Sequence, residues 1–190
     1  MFEDLTAPQR GTKRKRRPPK PMNPARLERI ALHHLDRYPS SVENLRRVLE
    51  RRAEKSRQIH EGDPSEHSEW IQDILKRFVE IGHLNDGAYG AAVARRLQNR
   101  GSSQRLIAAR LAAKGLSSEI IRTIAEEESE PNADQKAARI FVRRRGLGHH
   151  RQDPLVRTQK RERDLAALAR AGFTYSVAQA ALEDPIQEEN

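Results

Sequence analysis

From Asn23 onward, apolar residues recur at three- and four-residue spacing, the period of an amphipathic helix. Leu27, Ile30, Ala31, His34, Leu35 and Tyr38 share the first such face. Asn23-Pro24 opens it with an N-cap and a first-turn proline, and Pro39 breaks it. Ser40-Ser41-Val42-Glu43 predicts the next start, a capping box with Glu43 three residues after Ser40. Val42, Leu45, Val48 and Leu49 carry the second seam, which the polar stretch around Glu61-Gly62 ends. Asp63-Pro64-Ser65-Glu66 opens a third helix. Trp70, Ile71, Ile74, Leu75, Phe78 and Val79 form the strongest apolar face in the chain, closed by Gly82. Trp70 and Phe78 are expected to be structural.

Six further helices follow. Asn85-Asp86 starts a fourth, with Tyr89, Ala92, Val93 and Leu97 inward and Gly101 as its stop. Ser102 or Ser103 caps a fifth carrying Leu106, Ile107, Arg110 and Leu111, closed by Gly115. Ser117 caps a sixth with Ile120, Ile121, Ile124 and Ala125. A seventh runs from about Asn132 to Arg145 with Ala137, Ile140 and Phe141 on its seam. Gly146 to Pro154 reads as a loop. An eighth helix carries Leu165, Leu168 and Ala169 to a Gly172 stop, and Thr174 caps a ninth with Val177, Ala178, Ala181 and Leu182. No segment alternates with the two-residue period of a half-buried strand.

The helices repeat. Residues 107–127 align with 164–184 without a gap: Leu111 falls on Leu168, Gly115 on Gly172, Leu116 on Phe173, Ser117 on Thr174 and Ile124 on Ala181. The predicted fold is therefore all-α, built of three tandem three-helix units spanning 23–84, 85–130 and 131–184. Stacked units bury their seams mostly against neighbours and make an elongated body.

Composition agrees with small layers. Aromatic residues are 4% of the 190, too few for one large core, and 33% are charged. The net charge of +9 is not spread evenly. Residues 24–134 hold 18 cations and 18 anions, whereas 135–163 hold ten cations against two acids. Residues 1–22 form a Pro-rich basic arm around Lys13, Arg14, Lys15, Arg16 and Arg17, with nothing apolar to bury and hence expected to be disordered. Such an arm serves as a solvated tail or as a polyelectrolyte for nucleic acid or an acidic partner. Met22 follows it and is an alternative start. Residues 185–190 form an acidic tail. No run approaches the ~18 apolar residues of a membrane span. The first ten residues lack a secretory apolar segment. The absence of cysteine excludes disulfides, thiolate metal sites and a cysteine nucleophile, and suits a reducing cytoplasm.

Catalytic chemistry finds no support. Gly146-Leu147-Gly148 follows a helix rather than joining a strand to one, so it is no phosphate loop. His33-His34 and His149-His150 are adjacent pairs, which diverge by about 100° on a helix and do not chelate as i, i+4 pairs do. Glu126-Glu127-Glu128 reads as a solvated helix end. No cofactor or metal is expected. Arg143, Arg144 and Arg145 either complement a helix C-terminus or meet a polyanion; at most one can serve a seam. Arg139, Arg151, Arg157, Lys160, Arg161 and Arg163 extend their field. The few aromatics sit at seam positions, so base stacking is not expected and any DNA contact is phosphate-driven.

One segment carries a resemblance. Gly82-x-Leu84-Asn85-Asp86, Tyr89, Arg95-Arg96, Asn99-Arg100-Gly101 and Leu111-x-x-Lys114-Gly115 together resemble the RecX family of regulators of the recombinase RecA. The likeness extends over about 24–184. It departs at Gly87 or Ala88, at the Tyr38-Pro39-Ser40-Ser41 junction, and in a polar insert at 54–69 that lengthens the link between the second and third helices. The resemblance implies a curved rod of three units and a cytoplasmic, non-enzymatic protein. It also implies binding to the RecA–single-stranded DNA filament along its helical groove, restraining ATP hydrolysis, strand exchange and the coprotease activity that triggers the SOS response. Charge and position single out Arg143, Arg144 and Arg145, then Arg95, Arg96, Arg105 and Lys114, as partner or phosphate contacts. The expected partners are the RecA filament and, weakly, single- or double-stranded DNA; a monomer and no membrane are expected. The alternatives are a sequence-nonspecific DNA-binding repeat protein acting without RecA, and a scaffold for another acidic protein.

Overall fold

The computed structural model describes residues 20–60, 62–127 and 130–183. Lys13 to Arg17 of the basic arm, Glu61, Glu128 and the acidic tail 185–190 lie outside them. Among the described residues there are nine α-helices and no strand: α1 Pro24–Arg37, α2 Val42–Arg57, α3 Pro64–Glu80, α4 Asp86–Gln98, α5 Gln104–Ala113, α6 Ser118–Glu127, α7 Ala133–Arg145, α8 Pro154–Arg170 and α9 Tyr175–Glu183. A single 3-10 turn, Gly148–His150, sits within the expected 146–154 loop.

Short polar side chains set most starts by accepting the first free amides. Asn23, Asp63, Asn85 and Asp153 cap α1, α3, α4 and α8 through side-chain oxygens. Ser117 and Thr174 accept from Ile120 N and Val177 N ahead of α6 and α9. One start differs from the sequence reading. Ser41, not Ser40, caps α2, accepting from Asn44 N at 3.2 Å, while Ser40 Oγ takes the Asn44 side-chain amide at 2.7 Å. Glu43 thus falls at the second helical position and pairs with Arg46 and Arg47 instead of closing a capping box. Asn132 precedes α7 at φ 65° with no capping bond, a left-handed conformation that asparagine tolerates.

Buried apolar residues gather in three clusters. The first joins α1, α2 and α3 through Leu27, Leu45, Leu49, Ile71, Leu75 and Phe78. The second joins α4, α5 and α6 through Val93, Ala94, Ile107, Leu111, Leu116 and Ile124. The third joins α7, α8 and α9 through Ala138, Val142, Leu168, Phe173, Ala178 and Leu182. Several expected seam residues point elsewhere. Val79 is one residue, about 100°, round from fully buried Phe78 and faces out. Tyr38 caps α1 in an extended conformation and is 60% exposed. Ala92, Arg110, Ala125 and Ala169 are exposed, whereas half-buried Trp70 still packs against the first cluster. On α4 the buried face is Gly90, Val93 and Ala94, because a Cβ on Gly90 would stand 2.5 Å from Leu116 and Ile124.

The polar stretch 54–69 is mostly helix rather than linker. Residues 54–57 finish α2 and 64–69 open α3, leaving only 58–63 between. Ser56 is buried there, donating to Lys20 O at 2.9 Å, and His67 packs on Trp70 with ring centroids 5.2 Å apart. A buried hydroxyl with a partner holds a helix that hydrophobicity alone does not announce.

The bundles are joined by one motif used twice. At the first junction Ser41 Oγ donates to Lys114 O at 2.6 Å, and Val42 N donates to Asp86 Oδ1 at 2.9 Å. At the second, Ser103 Oγ donates to Ala171 O at 2.6 Å, and Gln104 N donates to Asp134 Oδ1 at 2.8 Å. Each serine hydroxyl caps its own helix with a lone pair and spends its proton on the last turn of the following bundle's middle helix. Each aspartate, in the first turn of the next bundle, satisfies the amide at the helix start that has no intrahelical partner. Gly115 and Gly172 end those middle helices at φ 82° and 91°. Only glycine fits: a Cβ on Gly115 would enter the Glu43 side chain, and one on Gly172 would stand 2.6 Å from Ser103 Oγ.

Candidate partner-binding surfaces

The shared staple leaves the two junctions differently filled. Beside the second, Gly101 turns against α7 so closely that a Cβ would stand 2.8 Å from Ala137 O and Phe141 N. Arg144 completes the contact by donating to Arg100 O at 3.1 Å. Beside the first junction, Pro39 occupies the place of Gly101 relative to the capping serine. A groove of about 860 Å³ lies there between α1, the α1–α2 turn and α4. Leu35, Tyr38, Tyr89 and Val93 supply apolar surface, and Arg96 and Lys114 supply charge. Arg96 corresponds to Arg144 when Asp86 is aligned with Asp134. His34 stands in the wall, its Nε2 buried with no hydrogen-bond partner. Burial, and secondarily Arg51, hold the His34 pKa below the usual histidine value.

A second concavity, about 290 Å³, lies in the third bundle between the end of α7 and one face of α8. Arg145, Arg151, Lys160, Arg163 and Arg170 line it, with Asp164 as the carboxylate among them. Asp164 is 2% exposed and fully engaged. Arg151 Nη2 and Nε donate to it at 2.8 and 3.0 Å, and Gly148 N at 3.1 Å. Burial pushes its carboxyl up, but these donors and the Arg151 and Arg163 charges prevail and hold it below the ordinary aspartate range. With Asp164 neutralising Arg151, four further cations surround the cleft. No aromatic lines it, so the surface suits phosphate or carboxylate groups rather than stacked bases.

The seven residues singled out from sequence do not form one site. Arg96 and Lys114 meet in the first groove. Arg105 lies by the second junction, where its Cβ approaches Gly172. Arg95 is exposed on α4 and engaged within the chain. Arg145 lines the cationic cleft with its guanidinium 4.5 Å from the Phe141 ring centroid. Arg144 is the arginine spent on a junction, and exposed Arg143 lies near His150, whose pKa burial, His149 and Arg143 lower. The sequence reading missed Asp164 and Arg170. Lys160, Arg163, Ala167 and Arg170 recur at helical spacing, a signal that was present; the Arg151–Asp164 pair crosses a turn and left none. Among the described residues no cluster of metal-binding side chains occurs, and no helix is long and apolar enough to cross a membrane.

Three stapled three-helix bundles define a helical-repeat protein. No protein-family model matches the chain. It is 38% identical over 175 residues to "Regulatory protein RecX" of Myxococcus xanthus, covering 92% of this chain and 91% of that one. It is 31% identical over 166 residues to the protein of that name from Thermobifida fusca, covering 87% and 81%. A crystal structure of regulatory protein RecX superposes with a TM-score of 0.59 at 21% identity, covering 85% of this chain and 72% of that one. RecX from Lactobacillus salivarius gives 0.59 at 16% identity, covering 84% and 94%. The chain belongs to the RecX family of regulatory proteins.

Proposed function

We propose that the protein is a negative regulator of RecA, binding the RecA–DNA filament and restraining its ATPase, strand exchange and SOS coprotease activity, and so regulating DNA repair and recombination. The observation that carries this reading is the 38% identity to a RecX protein across 92% of the chain. On it, the segments 23–84, 85–130 and 131–184 act as three linked units of one rod that lies between filament subunits and blocks their motion by occupying space. The cleft bounded by Arg145, Lys160, Arg163 and Arg170 supports contact with the filament's DNA. Its α8 stripe from Lys160 to Arg170 runs ~15 Å, so its cations can face consecutive phosphates of one strand rather than a single one. The test is RecA's DNA-dependent ATPase with sub-stoichiometric protein. Inhibition with binding to preformed filaments supports the reading; the absence of both refutes it.

A further inference from the structure

We propose that the groove at the first junction is a docking site for an acidic segment of a protein partner, one that seats an apolar side chain between flanking carboxylates. This goes beyond the regulatory reading and does not depend on RecA being that partner.

Three observations carry it. The groove is real space: about 860 Å³ lies open where the second junction is shut by Gly101 and Arg144. That volume is within the range of pockets that enclose a ligand group. Its surface is mixed: Leu35, Val93, Tyr89 and a 60% exposed Tyr38 that packs on the His34 ring form an apolar part, bordered by Asn44, His83 and Asn85. Exposed tyrosine beside aliphatic side chains is the composition of an interface centre, not of a solvated turn. Its charge has one sign: Arg96 and Lys114 line it, neither forms an ion pair among the described residues, and no aspartate or glutamate lines it. Two cations flanking an apolar surface match carboxylates beside an apolar anchor. A nucleic-acid strand is a poorer fit, because two cations neutralise few phosphates.

The probe is a fluorescein-labelled peptide with a Leu-Phe centre between glutamate pairs, read by anisotropy on the full chain. Saturable one-to-one binding is expected, weakened at least tenfold by the double variant Arg96→Glu with Lys114→Glu. Arg144→Glu at the closed junction should leave it unchanged. Thermal melting of each variant confirms folding, and both altered side chains are exposed. A lysine-flanked peptide should bind the double variant better than the parent. Equal affinity of parent and double variant for the glutamate peptide would overturn the proposal. So would no binding at all, or displacement of the peptide by oligo-dT with oligo-dT binding lost in the same double variant. RecA is absent from the assay, so its outcome is separate from that of the ATPase test.

Discussion

The two junctions share a mechanism and differ in closure. Ser41 with Asp86 and Ser103 with Asp134 make the same bonds at nearly the same lengths. The bonds that orient one bundle on the next are thus separate from the contacts that fill the space beside them. At the second junction glycine lets the turn meet the α7 backbone, and Arg144 adds a bond. At the first, proline stands in the turn and Arg96 faces a groove. A residue pair that closes one seam leaves an open, charged surface at the other. The staple also has directional chemistry. Asp153 and Pro154 stand where α8 would offer it, and neither a carboxylate nor a proline nitrogen can donate. At the other end, the first turn of α1 has no acid to accept. No such staple can form at either outer face.

The largest effect is expected from Gly101→Ala, which adds a Cβ 2.8 Å from α7 backbone atoms at φ +77°. Left-handed strain and overpacking together should cost about 2–4 kcal/mol in urea denaturation. Pro39→Ala, exposed at the matching place, should cost under about 1 kcal/mol. Equal losses would erase the difference between the junctions. Next come Ser41→Ala and Ser103→Ala. Each loses a cap and leaves a carbonyl without its donor, so about 2 kcal/mol is expected for both. Unequal values would show that the staples are not equivalent. The smallest effect sharpens the contrast. Arg144→Ala should lose about 0.5–1 kcal/mol with its bond to Arg100 O, whereas Arg96→Ala should stay within about 0.5 kcal/mol.

The helices were legible because each carries an apolar period and most carry a capping side chain. Asn23, Asp63, Ser117 and Thr174 announce their starts locally, and the gapless match of 107–127 to 164–184 announces the repeat. Where one serine follows another, choosing Ser41 over Ser40 requires the Lys114 carbonyl, 73 residues away. Among the described residues of 54–69 only Ser56 and His67 are buried, and neither announces a helix by hydropathy, which cannot register a partnered hydroxyl. Charge located the basic third bundle but not its cleft, because the pairing of Arg151 with Asp164 depends on a turn. The groove was invisible for the same reason. Arg96 and Lys114 stood out as cations, yet only packing sets them beside Tyr38 and Tyr89.

Hydroxyl-radical footprinting with and without the glutamate-flanked peptide tests most directly whether the open junction is a docking site. Tyr38 and Tyr89 should be oxidised more slowly when the peptide is added, while Trp70 on α3 keeps its rate. Slower oxidation of Trp70 with Tyr38 and Tyr89 unchanged would contradict the account.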